Sequence, residues 1–332
     1  MLTVDELDRL AGGTGFSGVV RVDQAGQPPL ARAYGWAHRG AGIATTTGTR
    51  IPMASGSKGF TALTVVSLVE EGRLALDTPV REVLGADLPL IDPAVTVEQL
   101  LAHRSGIGDY LDEESEQAVT DHVLPVPVHR LDRTEAYLEV LDGHPQQFPP
   151  GERFAYNNGG FVVLALIAER VGGRPFAELV DERVCRPAGM VDTAFLRSDE
   201  PAGGVALGYL GDGLRTNVLH LPVLGSGDGG AVTTAADLVA FWTALLEGRI
   251  VPRARVADLV RPRSVSPDGR SGYGLGFWLV PGSPIVLLEG YDAGVSFRTV
   301  CDPDRGLIWS VLSNTTEGAW PVARRLRDLL GG

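Results

Sequence analysis

The chain has 332 residues, enough for one large or two medium domains around a sizeable core. Its 29 basic and 41 acidic side chains leave a net charge of -12, which disfavours sequence-independent nucleic-acid binding, since that rests on basic neutralisation of phosphates. Hydrophobic content of 44% excludes a disordered chain, and no stretch approaches the ~20 apolar residues of a membrane span.

The N-terminus carries Asp5, Glu6, Asp8 and Arg9 before any apolar run, the opposite of a secretory signal, so a cytoplasmic protein is expected. Residues 3–12 read as a short amphipathic helix with Leu2, Leu7 and Leu10 inward. Phe16 to Val22 and Leu30 to Trp36 read as strands around the turn Ala25-Gly26-Gln27-Pro28. Phe60, Leu63, Thr64, Leu68 and Val69 then recur at helical spacing up to the stop Glu71-Gly72. Thr96 is a plausible cap for a helix over 97–101, and residues 161–171 form a strongly apolar helix ending at Gly172-Gly173. A helix over 234–246 starts at Thr233 or Thr234 and stops at Gly248. Strand-like runs follow at 274–280, 285–289, 296–302 and 307–313, and residues 319–330 close the chain as an amphipathic helix. Strands and helices at both ends of a helix-rich middle suggest an α/β (α+β) lobe of residues 1–75 and 210–332, with residues 76–209 as an inserted mainly helical lobe. The cleft between the two is the natural place for small-molecule chemistry.

Cys185 and Cys301, with no cysteine or histidine near them at ligand spacing, read as reduced structural thiols. The six histidines form no close pair, so neither a metal nor another cofactor is expected.

Of the 29 basic residues 28 are arginine, and the one lysine, Lys58, sits in Met53-Ala54-Ser55-Gly56-Ser57-Lys58-Gly59-Phe60 at the predicted start of a helix. Serine and lysine three apart share one face of a first helical turn, where backbone N–H groups favour a developing oxyanion. A desolvated lysine can take the serine proton; arginine cannot, because its guanidinium does not deprotonate. Alone, S-x-x-K is a weak motif. A second cluster, residues 149–160, places Tyr156 and Asn158 in the loop before the apolar helix. There tyrosine could shuttle a proton and asparagine orient the lysine, or Asn158 could simply cap the helix while Tyr156 packs. A third, Leu288-Glu289-Gly290-Tyr291-Asp292-Ala293-Gly294, lies between two strands, where small residues would let a substrate backbone approach.

In this order and spacing the three segments resemble the serine β-lactamase and penicillin-binding-protein superfamily, in its class C-like branch of esterases and D-aminopeptidases. Leu100-Leu101-Ala102-His103-Arg104-Ser105-Gly106, Pro187-Ala188-Gly189-Met190 and residues 229–238 match further segments of that branch, so the resemblance covers nearly the whole chain. It implies a β-lactamase/transpeptidase-like fold, with an antiparallel sheet flanked by helices. It also implies an acyl-enzyme on Ser55, with Lys58 as base or base partner, Tyr156 as the group that shuttles protons with it, and Asn158 as the group that orients lysine and substrate. The N–H groups of Ser55 and Gly294 are then expected to form the oxyanion hole, and His103 is read as a buried structural histidine satisfied by hydrogen bonds.

The departure from the family pattern lies in the third segment. Tyr291-Asp292-Ala293 stands where the family has a cation, any residue and glycine, which leaves Tyr291 at the substrate-orienting position and weakens the reading of a carboxylate-bearing β-lactam or peptide substrate. The expectation is a serine hydrolase acting on a small neutral ester. A D-amino-acid amidase, peptidase or peptide cyclase with the same acyl-Ser55 is the alternative, followed by a β-lactamase, and more remotely a non-catalytic binding protein. The partner expected is a small-molecule ester or amide, with no nucleic acid and no membrane; oligomeric state is not legible. Residues 109–130 and 209–228, with Tyr110, Tyr209 and Trp278, are the candidates for shaping the pocket.

Overall fold

The computed structural model describes residues 2–111 and 118–331. Met1, Gly332 and residues 112–117, the last inside the stretch expected to shape the pocket, lie outside the described residues.

Helix α1 (Val4–Gly12) opens with a capping box in which Thr3 and Glu6 satisfy each other's backbone N–H groups. Strands β1 (Gly18–Gln24) and β2 (Leu30–Tyr34) form the expected hairpin, and Gly26 takes the left-handed φ of +76° that its turn requires. Helix α2 (Lys58–Glu70) is buried from Lys58 to Leu68, as befits a helix apolar on every side. The short helix α3 (Val97–Leu101) has a second capping box, Thr96 with Gln99. Helix α4 (Asn158–Gly172) is likewise buried from Asn158 to Ala168, and α5 (Ala235–Glu247) starts at the Thr234 cap and ends at left-handed Gly248.

The C-terminal strands are β3 (Ser264–Val265), β4 (Gly272–Tyr273), β5 (Trp278–Leu279), β6 (Val286–Asp292), β7 (Val295–Asp302) and β8 (Leu307–Ser313), followed by α6 (Ala319–Leu330). Together with the N-terminal hairpin they make one antiparallel sheet in the order β2-β1-β8-β7-β6-β5-β4-β3. The single strand expected over 274–280 is instead β4 and β5, separated by a bend. Gly276 sits there at φ +84°, and a side chain on it would run into Ala62 of α2.

Alternation along the strands gives the sheet two apolar faces. Val19, Leu288, Phe297 and Leu312 face the central core with α2 and α4, while Val20, Val300, Trp309 and Val311 pack on α1 and α6. A small second sheet joins Ile51–Pro52 and Ala194–Phe195 to Ala231–Thr233. It anchors the segment that leads into Ser55. Among the described residues, no helix is long and apolar enough to cross a membrane. Both thiols are free and buried, and burial pushes each up to about 12.

Candidate active site

Ser55 lies one step earlier than a helical first turn. Residues Ala54–Ser57 form a 3₁₀ turn, and Lys58 is the first residue of α2. Ala54 has a left-handed φ of +44°, a strained conformation for a residue with a Cβ. The turn is pinned from the small sheet: the Met53 N–H donates to the Ala231 carbonyl at 2.9 Å, and Ser57 Oγ accepts from the Ala231 N–H at 3.2 Å. The Lys58 side chain runs back along the turn, only 2% exposed. Its Nζ donates to Ser55 Oγ at 2.8 Å, to Asn158 Oδ1 at 2.7 Å and to the Asp228 carbonyl at 2.9 Å. These three acceptors fix where the ammonium nitrogen points. The rings of Tyr156 and Phe161 lie 4.9 and 5.7 Å from it.

Tyr156 and Asn158 converge on Lys58 as expected, but Asn158 is the first residue of α4 rather than a loop or capping residue. The cap is Asn157, whose Oδ1 accepts from the Gly160 N–H at 2.6 Å. Tyr156 is held between the His103 ring, with centroids 4.3 Å apart, and Trp278, stacked at 6.0 Å and 8°. His103 is buried and neutral: burial, then the charge of Lys58, push it well below the usual histidine range. Its Nδ1 accepts the Asn157 N–H at 3.1 Å, which places any ring proton on Nε2. That Nε2 has no hydrogen-bond partner among the described residues, so the expectation of a fully satisfied histidine is only half met.

Two carboxylates that sequence patterns did not single out complete the surroundings of Lys58. Asp109 Oδ2 accepts the Asn158 N–H at 2.6 Å, and Oδ1 accepts those of Gly159 at 2.8 Å and Leu111 at 3.3 Å. Burial pushes this carboxyl up to about 7, against the three N–H groups and Lys58, which pull it down. Asp228 Oδ2 accepts the Tyr110 hydroxyl at 2.5 Å, and burial raises it against the opposing charge of Lys58. Nothing local marks these residues: Asp109 is 51 positions from Lys58 in sequence and Asp228 is 170, and only the fold brings them together.

The third segment is placed differently from the expectation. Asp292 pairs with Val295 across a two-residue turn, so β6 reaches the Ser55 turn with its earlier residues, Leu288 and Gly290. A Cβ on Gly290 would lie 2.1 Å from the Met53 carbonyl oxygen and 3.0 Å from the Gly56 nitrogen, an approach that only glycine permits. The Tyr291 side chain lies on the opposite face, where its hydroxyl donates to Glu317 at 2.7 Å and its ring sits 6.1 Å from Trp320. It therefore orients neither the lysine nor anything bound to Ser55. The Gly294 N–H is also committed elsewhere, donating to Thr316 Oγ1 at 2.8 Å, so it is not available as an oxyanion donor. Tyr291 opposite Ser296 is the non-hydrogen-bonded pair of this hairpin, and its N–H points away from β7 toward the strand edge that borders Ser55. Strand β5 pairs with β6 only at Val286 and Leu287, so that edge is open at Tyr291. Counting alternation back from the Ala293-Gly294 turn would have found this register.

A cavity of about 660 Å³ opens beside Ala54, Asp228, Gly229 and Gly230. Tyr110 and Tyr137 line it, as do Asn217, His220 and Leu221 from the expected 209–228 stretch. Among the described residues that line it, Asp228 and Asp292 are the acidic groups, and the arginine, Arg197, is paired with Asp199 at 2.8 Å. Of the three aromatic candidates, Tyr110 faces the cavity and Trp278 supports Tyr156. Tyr209 is core, 1% exposed, with its hydroxyl accepting the Arg39 N–H at 2.7 Å.

Residues 6–331 match the family described as Beta-lactamase. The chain belongs to that family. A crystal structure of a penicillin binding protein from Bacillus halodurans superposes with a TM-score of 0.91 at 34% identity, covering 98% of this chain and 100% of the other. The family's β-lactamase/transpeptidase-like fold is thus the fold of this chain. Esterase EstB of Burkholderia gladioli is 35% identical over 54% of the chain and 47% of its own length. A D-aminopeptidase of Brucella canis is 29% identical over 79% of the chain and 49% of its own length. The chain therefore spans about half the length of these two curated relatives.

Proposed function

We propose that this protein is a serine hydrolase that works through an acyl-enzyme on Ser55, with a small ester as the favoured substrate. The observation that carries the reading is the 2.8 Å contact between Lys58 Nζ and Ser55 Oγ, made by the one lysine of the chain in a buried setting. Once the Lys58 ammonium has lost one proton to solvent, Ser55 Oγ attacks the substrate carbonyl carbon while its own proton passes to the neutral Nζ, and Tyr156, beside the lysine, relays that proton to the leaving group. The tetrahedral oxyanion is held by the N–H groups of Ser55 and Tyr291. Its collapse expels an alcohol bearing that proton, and water then attacks the acyl carbonyl to free the acid and restore Ser55.

Charge argues against a carboxylate-bearing substrate. The cavity carries Asp228 and Asp292, its arginine is ion-paired, and β6 faces the Ser55 turn with Leu288 and Gly290 rather than with a cation. An uncharged or cationic substrate fits this surface, a β-lactam less well. The second reading keeps acyl-Ser55 and exchanges the ester for an amide or the water for an amine; the 29% identity to a D-aminopeptidase supports it.

The test is a panel of p-nitrophenyl esters, D- and L-amino acid p-nitroanilides and nitrocefin, run beside fluorophosphonate labelling read by intact mass. Ester turnover and a single adduct on Ser55 are expected. No turnover and no adduct would sink the enzyme reading, and rapid nitrocefin opening with esters untouched would restore the β-lactamase reading.

A further inference from the structure

We propose that Asp109 is a positioning residue of the acylating site, setting the Asn158 side chain against Lys58 by holding the first N–H groups of helix α4. The inference rests on the reading of Ser55 and Lys58 as the acylating pair. The contacts form a closed path. Asp109 takes the N–H of Asn158 at 2.6 Å and of Gly159 at 2.8 Å, and also that of Leu111 at 3.3 Å. The Leu111 carbonyl accepts from Asn158 Nδ2 at 3.0 Å, and Asn158 Oδ1 accepts from Lys58 Nζ at 2.7 Å. Both ends of the Asn158 amide are thereby fixed, so it cannot flip and turn its NH₂ group toward the ammonium. Three N–H groups on two oxygens require a carboxylate; an amide at this position would meet one of them donor to donor.

An ordinary cap does not explain this arrangement. Helix α4 already has Asn157 as its cap, and Asp109 is 49 residues away from Asn158 in sequence. Its carboxyl, pushed up to about 7 by burial, is ionised at neutral to alkaline pH only at a cost to folding stability. A costly group retained beside a reactive centre is what a trade of stability for function looks like. Among the described residues, the titratable groups facing it are Lys58 from α2 and the neighbouring Tyr110, itself bonded to Asp228. Below pH 7 the carboxyl gains a proton, loses acceptor capacity and releases its hold on the amides, so acylation should decline along this limb.

Two variants and one spectroscopic readout test the proposal. Asp109→Asn should slow fluorophosphonate acylation of Ser55 by about tenfold at pH 8, under conditions where a thermal melt shows it folded, and flatten the limb near pH 7. In Gly159→Ala the added Cβ lies 3.2 Å from both Asp109 Oδ1 and Leu141 Cδ2, the latter the end of a side chain that can give way, and alanine improves helix propensity. This variant should acylate about threefold more slowly with no loss of stability, and it carries the test should Asp109→Asn fail to fold. Because Lys58 is the only lysine, ¹³Cε-lysine labelling gives one side-chain NMR signal in the whole protein. That signal should show an inflection near pH 7 that Asp109→Asn abolishes. Acylation by Asp109→Asn within about twofold of the parent at pH 8, or an unchanged Lys58 titration, would overturn the proposal. If the parent itself takes no adduct on Ser55, the acyl-enzyme reading fails, and the Lys58 signal still decides whether Asp109 controls that lysine.

Discussion

Replacing Gly290 with alanine would place a Cβ 2.1 Å from the Met53 carbonyl oxygen and 3.0 Å from the Gly56 nitrogen. Both are backbone atoms of the turn that carries Ser55, so neither can rotate aside. A carbon–oxygen contact tolerates ~3.3 Å, and strand β6 and the turn must therefore part by about 1 Å. A misplacement of that size at a reacting centre costs on the order of 10²-fold in rate. Overpacking of this kind also costs about 1–3 kcal/mol, which should lower the melting temperature by a few degrees. The assay is the second-order rate of fluorophosphonate labelling, followed by intact mass, beside a thermal melt. Gly48→Ala is the matched control, because a Cβ there meets nothing within 4 Å. Labelling of Gly290→Ala at the parental rate with an unchanged melt would refute the close strand-to-turn contact, and with it the placement of the Tyr291 N–H beside Ser55.

Lys58→Arg keeps the positive charge but not a base that can accept the Ser55 proton, so acylation should fall by about 10² or more while the far-UV spectrum stays native; near-parental rates would remove Lys58 from the mechanism. Thr316→Val removes the acceptor of the Gly294 N–H and should cost about 1 kcal/mol of stability in denaturant titration, with acylation changed by less than about threefold. A loss of about 10²-fold would return Gly294 to the oxyanion hole. The Asp109 carboxyl binds its proton more tightly folded than unfolded, so its contribution to stability is full below about pH 4 and lost as pH rises through 7. Melting curves of the parent and Asp109→Asn should accordingly diverge in favour of the variant between pH 5 and 8, by about 2 °C or more; curves that stay parallel would argue against a raised carboxyl.

Local chemistry was legible in the sequence wherever it is settled by neighbouring residues. Thr96 with Gln99, Thr234 with Asp237, and the glycines that end α4 and α5 announce their helices, because caps and stops act within one turn. Serine three before the lone lysine, and tyrosine two before asparagine, likewise identified the groups that meet around Lys58. The strand bend at Gly276 was not legible, because its cause is Ala62 on a helix more than 200 residues earlier in the chain.

The third segment marks the boundary between the two kinds of information. The small residues of the third segment suggested a strand edge that a substrate could approach, and the family resemblance set that edge beside Ser55, but neither said which glycine comes close. In a strand successive side chains face opposite ways, so a misjudged register moves Tyr291 across the sheet and turns a presumed substrate contact into a partner of Glu317. Only the pairing of Asp292 with Val295 and the packing of Gly290 on Met53 decided it. Asp109 and Asp228 belong to the same class. An isolated aspartate carries no pattern, and it gains a role only when the fold removes water from around it and brings the N-terminus of α4 or the Tyr110 hydroxyl within hydrogen-bond reach.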